Sequence, residues 1–182
     1  HKQKQINSYS RKKSRNKLVA LVGYTNAGKT TLFNSLTNSS QQAEDKLFAT
    51  LDSVTRKNID PELGPILFSD TVGFISQLPT QLIESFKATL DELRSADLLL
   101  DVVDISDIDC KQKEIEVNKI LEDLNLQSIP QIRVNNKCDL KETLISKTNV
   151  DIEEKEAWIS AEKNMGIDDL RDLINTKLFN GI

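Results

Sequence analysis

Cysteine is nearly absent. Cys110 and Cys138 are the only two, in a spacing that fits neither a metal site nor a disulfide framework. Their scarcity points to reduced thiols and a cytoplasmic protein. No apolar run approaches the ~20 residues that a bilayer-spanning helix needs, so no membrane span is expected. A signal-peptide pattern is missing too, since the basic, polar start has no apolar core behind it. His1 stands where a Met would, which points to a piece of a longer protein. Glycine and proline are few, six and four, and 38% of residues are hydrophobic. That combination excludes low-complexity disorder. What remains is 182 residues, the length of one globular domain with a substantial core.

Acidic residues are missing altogether from residues 1–43, which hold eight Lys or Arg. The rest of the chain sets 16 basic side chains against 28 acidic ones, a charge of −12. A basic arm over residues 1–16 ahead of an acidic body over 17–182 fits contact with nucleic acid, where Lys and Arg displace condensed counterions. The plainer reading of the arm is a solvated, frayed terminus. Only Ile6 and Tyr9 could bury much apolar surface there, so it is expected to lack a fold of its own.

From Leu18 onward, short apolar runs alternate with segments of helical period. The sequence predicts strands at 18–22 (LVALV), 54–60 (VTRKNID), 65–70 (PILFSD), 98–104 (LLLDVVD), 129–137 (IPQIRVNNK) and 156–160 (EAWIS). It predicts helices near Lys29–Leu36 and over QLIESFKATLDELRSA, where Leu82, Ile83, Phe86, Leu90 and Leu93 share a face. A further helix has Ile115, Ile120, Leu121 and Leu124 on its apolar side. The last, started by Gly166, carries Ile167, Leu170, Leu173, Ile174 and Leu178. Residues 38–53 read as a loop. Strands alternating with crossover helices imply an α/β fold: a mostly parallel sheet, helices on both faces, and ligands outside the strand C-termini.

GYTNAGKT (23–30) follows the first strand and opens a helix, the context that validates a G-x-x-x-x-G-K-[ST] phosphate loop. Gly23, Tyr24, Thr25, Asn26, Ala27, Gly28, Lys29, Thr30 and Thr31 are therefore the phosphate-binding candidates. The glycines let the backbone wrap close to the phosphates and donate successive amides. Lys29 reaches the β and γ phosphates, and the Thr30 hydroxyl is placed for Mg²⁺. Asp70 ends a strand on the same side, where an acid holds Mg²⁺ directly or through water. Gly73 offers an amide to the terminal phosphate with no side chain in the way.

NKCD (136–139) resembles the guanine-recognition motif of GTPases, and SAEK (160–163) resembles their last motif. The first likeness implies that Asp139 accepts from guanine N1 and N2 protons, while Asn136 and Lys137 brace the pocket. Asn135 does not fit, because only Asn136 gives N-K-x-D. The second implies backbone contact from Ser160, Ala161 and Glu162 to the guanine carbonyl. An adenine would leave the Asp139 carboxylate unpaired, which favours GTP and GDP as ligands. The order of all these elements is that of a Ras-like G domain, a P-loop NTPase.

VGYTNAGKTTLFNSL, LFATLD, DTVGFISQLP, SFKATLDELRSADLLLDVVD and NKCD together resemble the HflX family of GTPases over residues 12–181. The resemblance implies a ribosome-associated GTPase that binds the large subunit and its rRNA and can dissociate stalled or idle ribosomes. It makes Thr50 of FATLD the switch threonine on Mg²⁺ and the γ phosphate. A hydroxyl in a loop that closes on a triphosphate has the same chemistry. The family's N-terminal domain is not among these residues, so the expected unit is an isolated G domain. Three positions depart from the family pattern: Thr30 stands for the usual Ser, Ser53-Val54-Thr55 for Pro-Thr-Thr, and Asp101 for a His. Residues 38–53 and 71–80 are expected to be disordered or variable without a triphosphate.

Glutamine is missing where many GTPases use it to orient the attacking water. Phe74 follows Gly73 instead, and Gln77 lies too far along to replace it. GTPases with an apolar residue here resemble a group that hydrolyses without glutamine. In some related GTPases an asparagine at the place of Asn26 holds a monovalent cation, so K⁺ is a candidate cofactor beside Mg²⁺. Lys29, Thr50, Gly73 and Asn26 are the catalytic candidates, in a domain expected to hydrolyse GTP slowly. The alternatives are a non-catalytic guanine-nucleotide sensor, or an RNA-binding scaffold with a vestigial site.

Overall fold

The computed structural model describes residues 16–38, 54–60, 64–71, 93–141, 150–151 and 156–180. At its centre lies β1 (Lys17–Val22), whose LVALV run is buried on both faces and so carries no polar alternation. It pairs in parallel with β3 (Gly64–Asp70) on one side and β4 (Leu98–Asp104) on the other. β5 (Gln131–Asn136) and β7 (Glu156–Trp158) extend the sheet in parallel beyond β4. β2 (Val54–Asp60) and the two-residue β6 (Val150–Asp151) close the edges antiparallel to β3 and β7. The order is β2-β3-β1-β4-β5-β7-β6. Chain direction across the sheet reverses at β1, and its C-terminal end is where such a fold binds ligands.

Strand alternation sorts the core into two layers. Val19 and Leu21 of β1 and Leu98, Leu100 and Val102 of β4 face one side. There they meet Leu32, Phe33 and Leu36 of α1 (Lys29–Thr37) and Ile167, Leu170, Leu173 and Ile174 of α3 (Ile167–Asn175). Ala20, Val22 and Leu99 face the other side, against Val117 and Leu121 of α2 (Cys110–Asp123), with Leu93 and Leu126. Helices therefore cover both faces, as the pattern predicts.

The expected α2 face needs correction. Ile115 is 61% exposed, and the buried positions are Val117 and Leu121, one turn apart. Ile120 and Leu124 flank that stripe and are half-buried, whereas Ile115 lies two residues from Val117, about 200° around the helix. The last predicted strand also stops early, at Trp158. Ile159 still donates to Asn135 O at 2.9 Å, but Ser160 turns away to bridge Met165. Of the predicted helix over residues 81–96, only Leu93–Ala96 is described, and Leu93 is fully buried. The basic arm (apart from Asn16), most of 38–53 and residues 72–80 lie outside the described residues. Among the described residues, no helix is long and apolar enough to cross a membrane.

Candidate functional site

The phosphate loop leaves β1 at Gly23 and enters α1 at Lys29, so its backbone must turn through roughly half a circle in five residues. Gly28 does this at φ +92°, and a Cβ there would lie 2.3 Å from Asn136 Nδ2. A Cβ at Gly23 would meet the Val102 carbonyl oxygen at the same distance, 2.3 Å. Both glycines are thus required by approach distance as well as by conformation. Gly28→Ala is expected to displace Asn136 and destabilise the fold by about 1–3 kcal/mol. Thermal denaturation measures this, and an unchanged midpoint would mean that Asn136 yields without cost.

Lys29, the first residue of α1, is only 6% exposed. Its ammonium donates to the carbonyls of Gly23 (3.2 Å) and Tyr24 (2.8 Å), folding back onto its own loop. Burial pulls its pKa down to about 8, against the opposing attraction of Asp70 and Asp101. The next residue, Thr30, donates its hydroxyl to Asp70 Oδ2 at 2.8 Å, across 40 residues of chain. Asp70 is buried at the C-terminal end of β3, and Thr71 beyond it is pinned by a 2.5 Å bond from its hydroxyl to Leu21 O. A hydroxyl and a carboxylate in contact beside the phosphate loop form a hard, all-oxygen donor set. That set suits Mg²⁺ shared with phosphate oxygens.

Asn136 joins the two halves of the site. Its Nδ2 donates to Ala27 O of the phosphate loop at 2.9 Å, and its Oδ1 accepts from Ala161 N of the SAE loop at 3.0 Å. Both bonds are buried. One SAE amide is therefore engaged within the protein. A small pocket of about 50 Å³ opens beside this brace, lined by Gly28, Thr31, Asn136, Lys137, Asp139, Leu140, Ser160, Ala161 and Glu162. Asp139 is held there in the single 3₁₀ turn Cys138–Leu140. Ser160 receives the Lys163 amide on its hydroxyl at 3.2 Å, which shapes the turn.

Lys137 takes a left-handed backbone, φ +63°, and its ammonium pairs with Asp104 Oδ2 at 2.7 Å. Asp104 was missed by the sequence reading. It ends LLLDVVD as Asp70 ends PILFSD, and that parallel was the available signal. Ser106 completes its coordination through backbone and hydroxyl bonds to Oδ1.

The structure does not gather every candidate in one place. Tyr24, Thr25, Asn26 and Ala27 line a separate cavity of about 300 Å³ on the β4–α2 side of the loop. Asn26 itself is exposed, at φ +60°. Thr50 and Gly73, with Phe74 and Gln77, lie outside the described residues. Both cysteines are free, and burial pushes the Cys138 thiol pKa up, which keeps it a neutral thiol in the core.

Comparison with known proteins agrees with this geometry. The sequence model of the family described as 50S ribosome-binding GTPase matches residues 18–137. The chain is 46% identical to GTPase HflX of Caldanaerobacter subterraneus subsp. tengcongensis over 178 residues, covering 98% of this chain and 40% of that protein. It is 41% identical to GTPase HflX of Escherichia coli over 179 residues, 97% of this chain and 42% of the relative. It thus spans well under half the length of these relatives. Among solved structures, a variant of Era from Aquifex aeolicus bound to GDP.AlF4− superposes with a TM-score of 0.71 at 26% identity. That match covers 90% of this chain and 57% of the other. The chain therefore belongs to the family of 50S ribosome-binding GTPases, as a G domain of the HflX type.

Proposed function

We propose that this domain binds GTP with Mg²⁺ and hydrolyses it slowly in the cytoplasm, in a protein that works on the large ribosomal subunit and its rRNA. The observation that carries the reading is the Asn136 brace, which ties the phosphate loop to the SAE loop beside Asp139. A rigid link of that kind makes base recognition and phosphate binding one event. The ribosome enters through the family's description and is supported by the basic residues ahead of Lys17.

In this reading the amides at the start of α1 donate to the phosphates, where the helix N-terminus favours negative charge. Lys29 exchanges the Gly23 and Tyr24 carbonyls for phosphate oxygens. Thr30 and Asp70 hold the Mg²⁺, which neutralises charge on the phosphate oxygens when bound. Thr50 and Gly73 close on the terminal phosphate from the switch segments. Asp139 accepts from the guanine N1 and N2 protons, and Lys137 is kept in place by Asp104. Asn26, exposed at the loop's turn, is the candidate for K⁺, a charge that would act where glutamine is lacking.

Phosphate release from GTP in KCl and in NaCl, at matched ionic strength, tests this. Turnover faster in KCl by about tenfold or more is the expected result, lost in Asn26→Ala. Equal, measurable rates would remove the cation and keep the enzyme. Tight GTP and GDP binding without turnover in either salt, and none with added large subunits, would overturn hydrolysis and leave a nucleotide sensor.

A further inference from the structure

β4 sends Leu98, Leu100 and Val102 into the core under α1 and α3, so Leu99, Asp101 and Val103 point to the α2 side. The α2 core ends at Val22, Leu99 and Val117. Where an apolar residue would continue it stands Asp101, on the wall of the 300 Å³ cavity bounded by the phosphate loop, β4 and α2.

The carboxylates of that cavity are not equivalent. Asp104 is held by Lys137 and Ser106, Asp107 by Lys113, and Glu114 by Arg133. Asp101 is only 7% exposed, and no described residue donates a hydrogen bond to it. A buried carboxylate without donors is costly. Its charge is felt by Glu114, Arg133 and Lys29, from α2, β5 and the start of α1, through Coulombic interaction and no hydrogen bond. Around it, Tyr24, Val103 and Val117 supply apolar wall, and Lys113 Nζ already sits 5.2 Å from the Tyr24 ring centre.

We propose that this cavity is a second ligand site, for a small organic cation with an apolar body whose charged head pairs with Asp101. An amidinium, guanidinium or primary ammonium on a ring or short alkyl stem has the required chemistry. The volume lies at the low end for small-molecule pockets. No residue lines both this cavity and the pocket beside Asp139, so the cation does not compete for that pocket. The occupant rests on Tyr24, whose carbonyl accepts from Lys29, and so acts on the same loop as the phosphates.

Calorimetric titration of the chain with benzamidine, and with its neutral isostere benzamide, tests the assignment. Benzamidine is expected to bind about tenfold or more tightly than benzamide. Its affinity should rise with pH through about 6, where the Asp101 carboxyl ionises, its pKa raised by burial and by Glu114. Benzamidine should also slow alkylation of the half-buried Cys110 on the cavity wall, with the fully buried Cys138 as internal reference. Asp101→Asn should weaken benzamidine about tenfold while keeping the melting temperature. Saturating GDP should change the affinity by about threefold or less without displacing benzamidine, because the two ligands touch the Tyr24–Lys29 loop from different sides. Equal affinity for the two compounds, no protection of Cys110, or displacement by GDP would each overturn the proposal. The first two comparisons use the parent chain, so a misfolded Asp101→Asn does not blunt the test.

Discussion

Lys29→Met is expected to lose GTP affinity by about 100-fold or more, while its nucleotide-free form becomes more stable than the parent at neutral pH. The loss follows from removing charge-assisted bonds to phosphate. The gain follows from burial. Lys29 is 6% exposed, and its pKa is brought down to about 8 by desolvation, with Asp70 and Asp101 recovering only part. An unfolded lysine titrates near 10.5. Between these values the unfolded chain holds more protons than the folded one, so stability rises with pH from about 8 to 10.5. Below about pH 8 the full cost of the buried charge is present. Methionine removes that cost but also the bonds to the Gly23 and Tyr24 carbonyls, leaving a net gain of about 1–2 kcal/mol.

Three readouts bear on this. Denaturant midpoints across the pH range should show the parent's slope and its absence in Lys29→Met. Calorimetry of GTP binding above about pH 8 should show proton uptake, because the lysine must recharge to meet the phosphates. A variant less stable than the parent at neutral pH would mean that the two carbonyl bonds outweigh the buried charge, and the argument would fail.

Asn136→Ala carries the largest expected loss of stability. The amide side chain satisfies Ala27 O and Ala161 N, two buried backbone groups that belong to different loops. Truncation leaves both without that partner, at about 1–3 kcal/mol each, so a total of about 2–6 kcal/mol is expected. Affinity for GDP should fall with it, since the phosphate loop and the base pocket would no longer be held in one geometry. Urea denaturation and GDP titration measure the two effects. Asn136→Asp keeps an acceptor for Ala161 N but turns a carboxylate oxygen on the Ala27 carbonyl and buries a charge, so it should be at least as unstable as the alanine variant at neutral pH. A variant with parent-like stability and weakened GDP would show that Asn136 serves the ligand and not the fold.

The phosphate loop, the strand-end Asp70, NKCD and SAEK were legible because each is a local run with a stated neighbour, a strand before and a turn or helix after. Six of the seven described strands, all but β6, and the start of α1 were legible from short β-rich runs and turn residues, the parallel ones because buried strands leave an uninterrupted apolar signal. The face of α2 was legible only in part: Ile120, Leu121 and Leu124 lie on it, and Ile115 does not. Ile115 and Val117 are equally apolar, and only the position of the helix over β1 and β4 selects Val117 for burial and leaves Ile115 in solvent. Thr50 and Gly73, read from motifs alone, rest on the sequence still.

What the sequence by itself determined is the inventory of candidates: a phosphate-loop motif, an acid and a hydroxyl proposed for a metal, and an aspartate proposed for guanine. Which groups meet was decided only by the sheet order. Asn136 reaches Ala27 across 109 residues, and Lys137 reaches Asp104 because β5 lies directly beside β4. The same adjacency divides the loop's two sides, giving Gly28 and Thr31 to the base pocket and Tyr24–Ala27 to the cavity under Asp101. Periodicity records whether a side chain is buried. The partner it is buried against depends on strands brought together from distant parts of the chain, and a one-dimensional pattern does not carry that information.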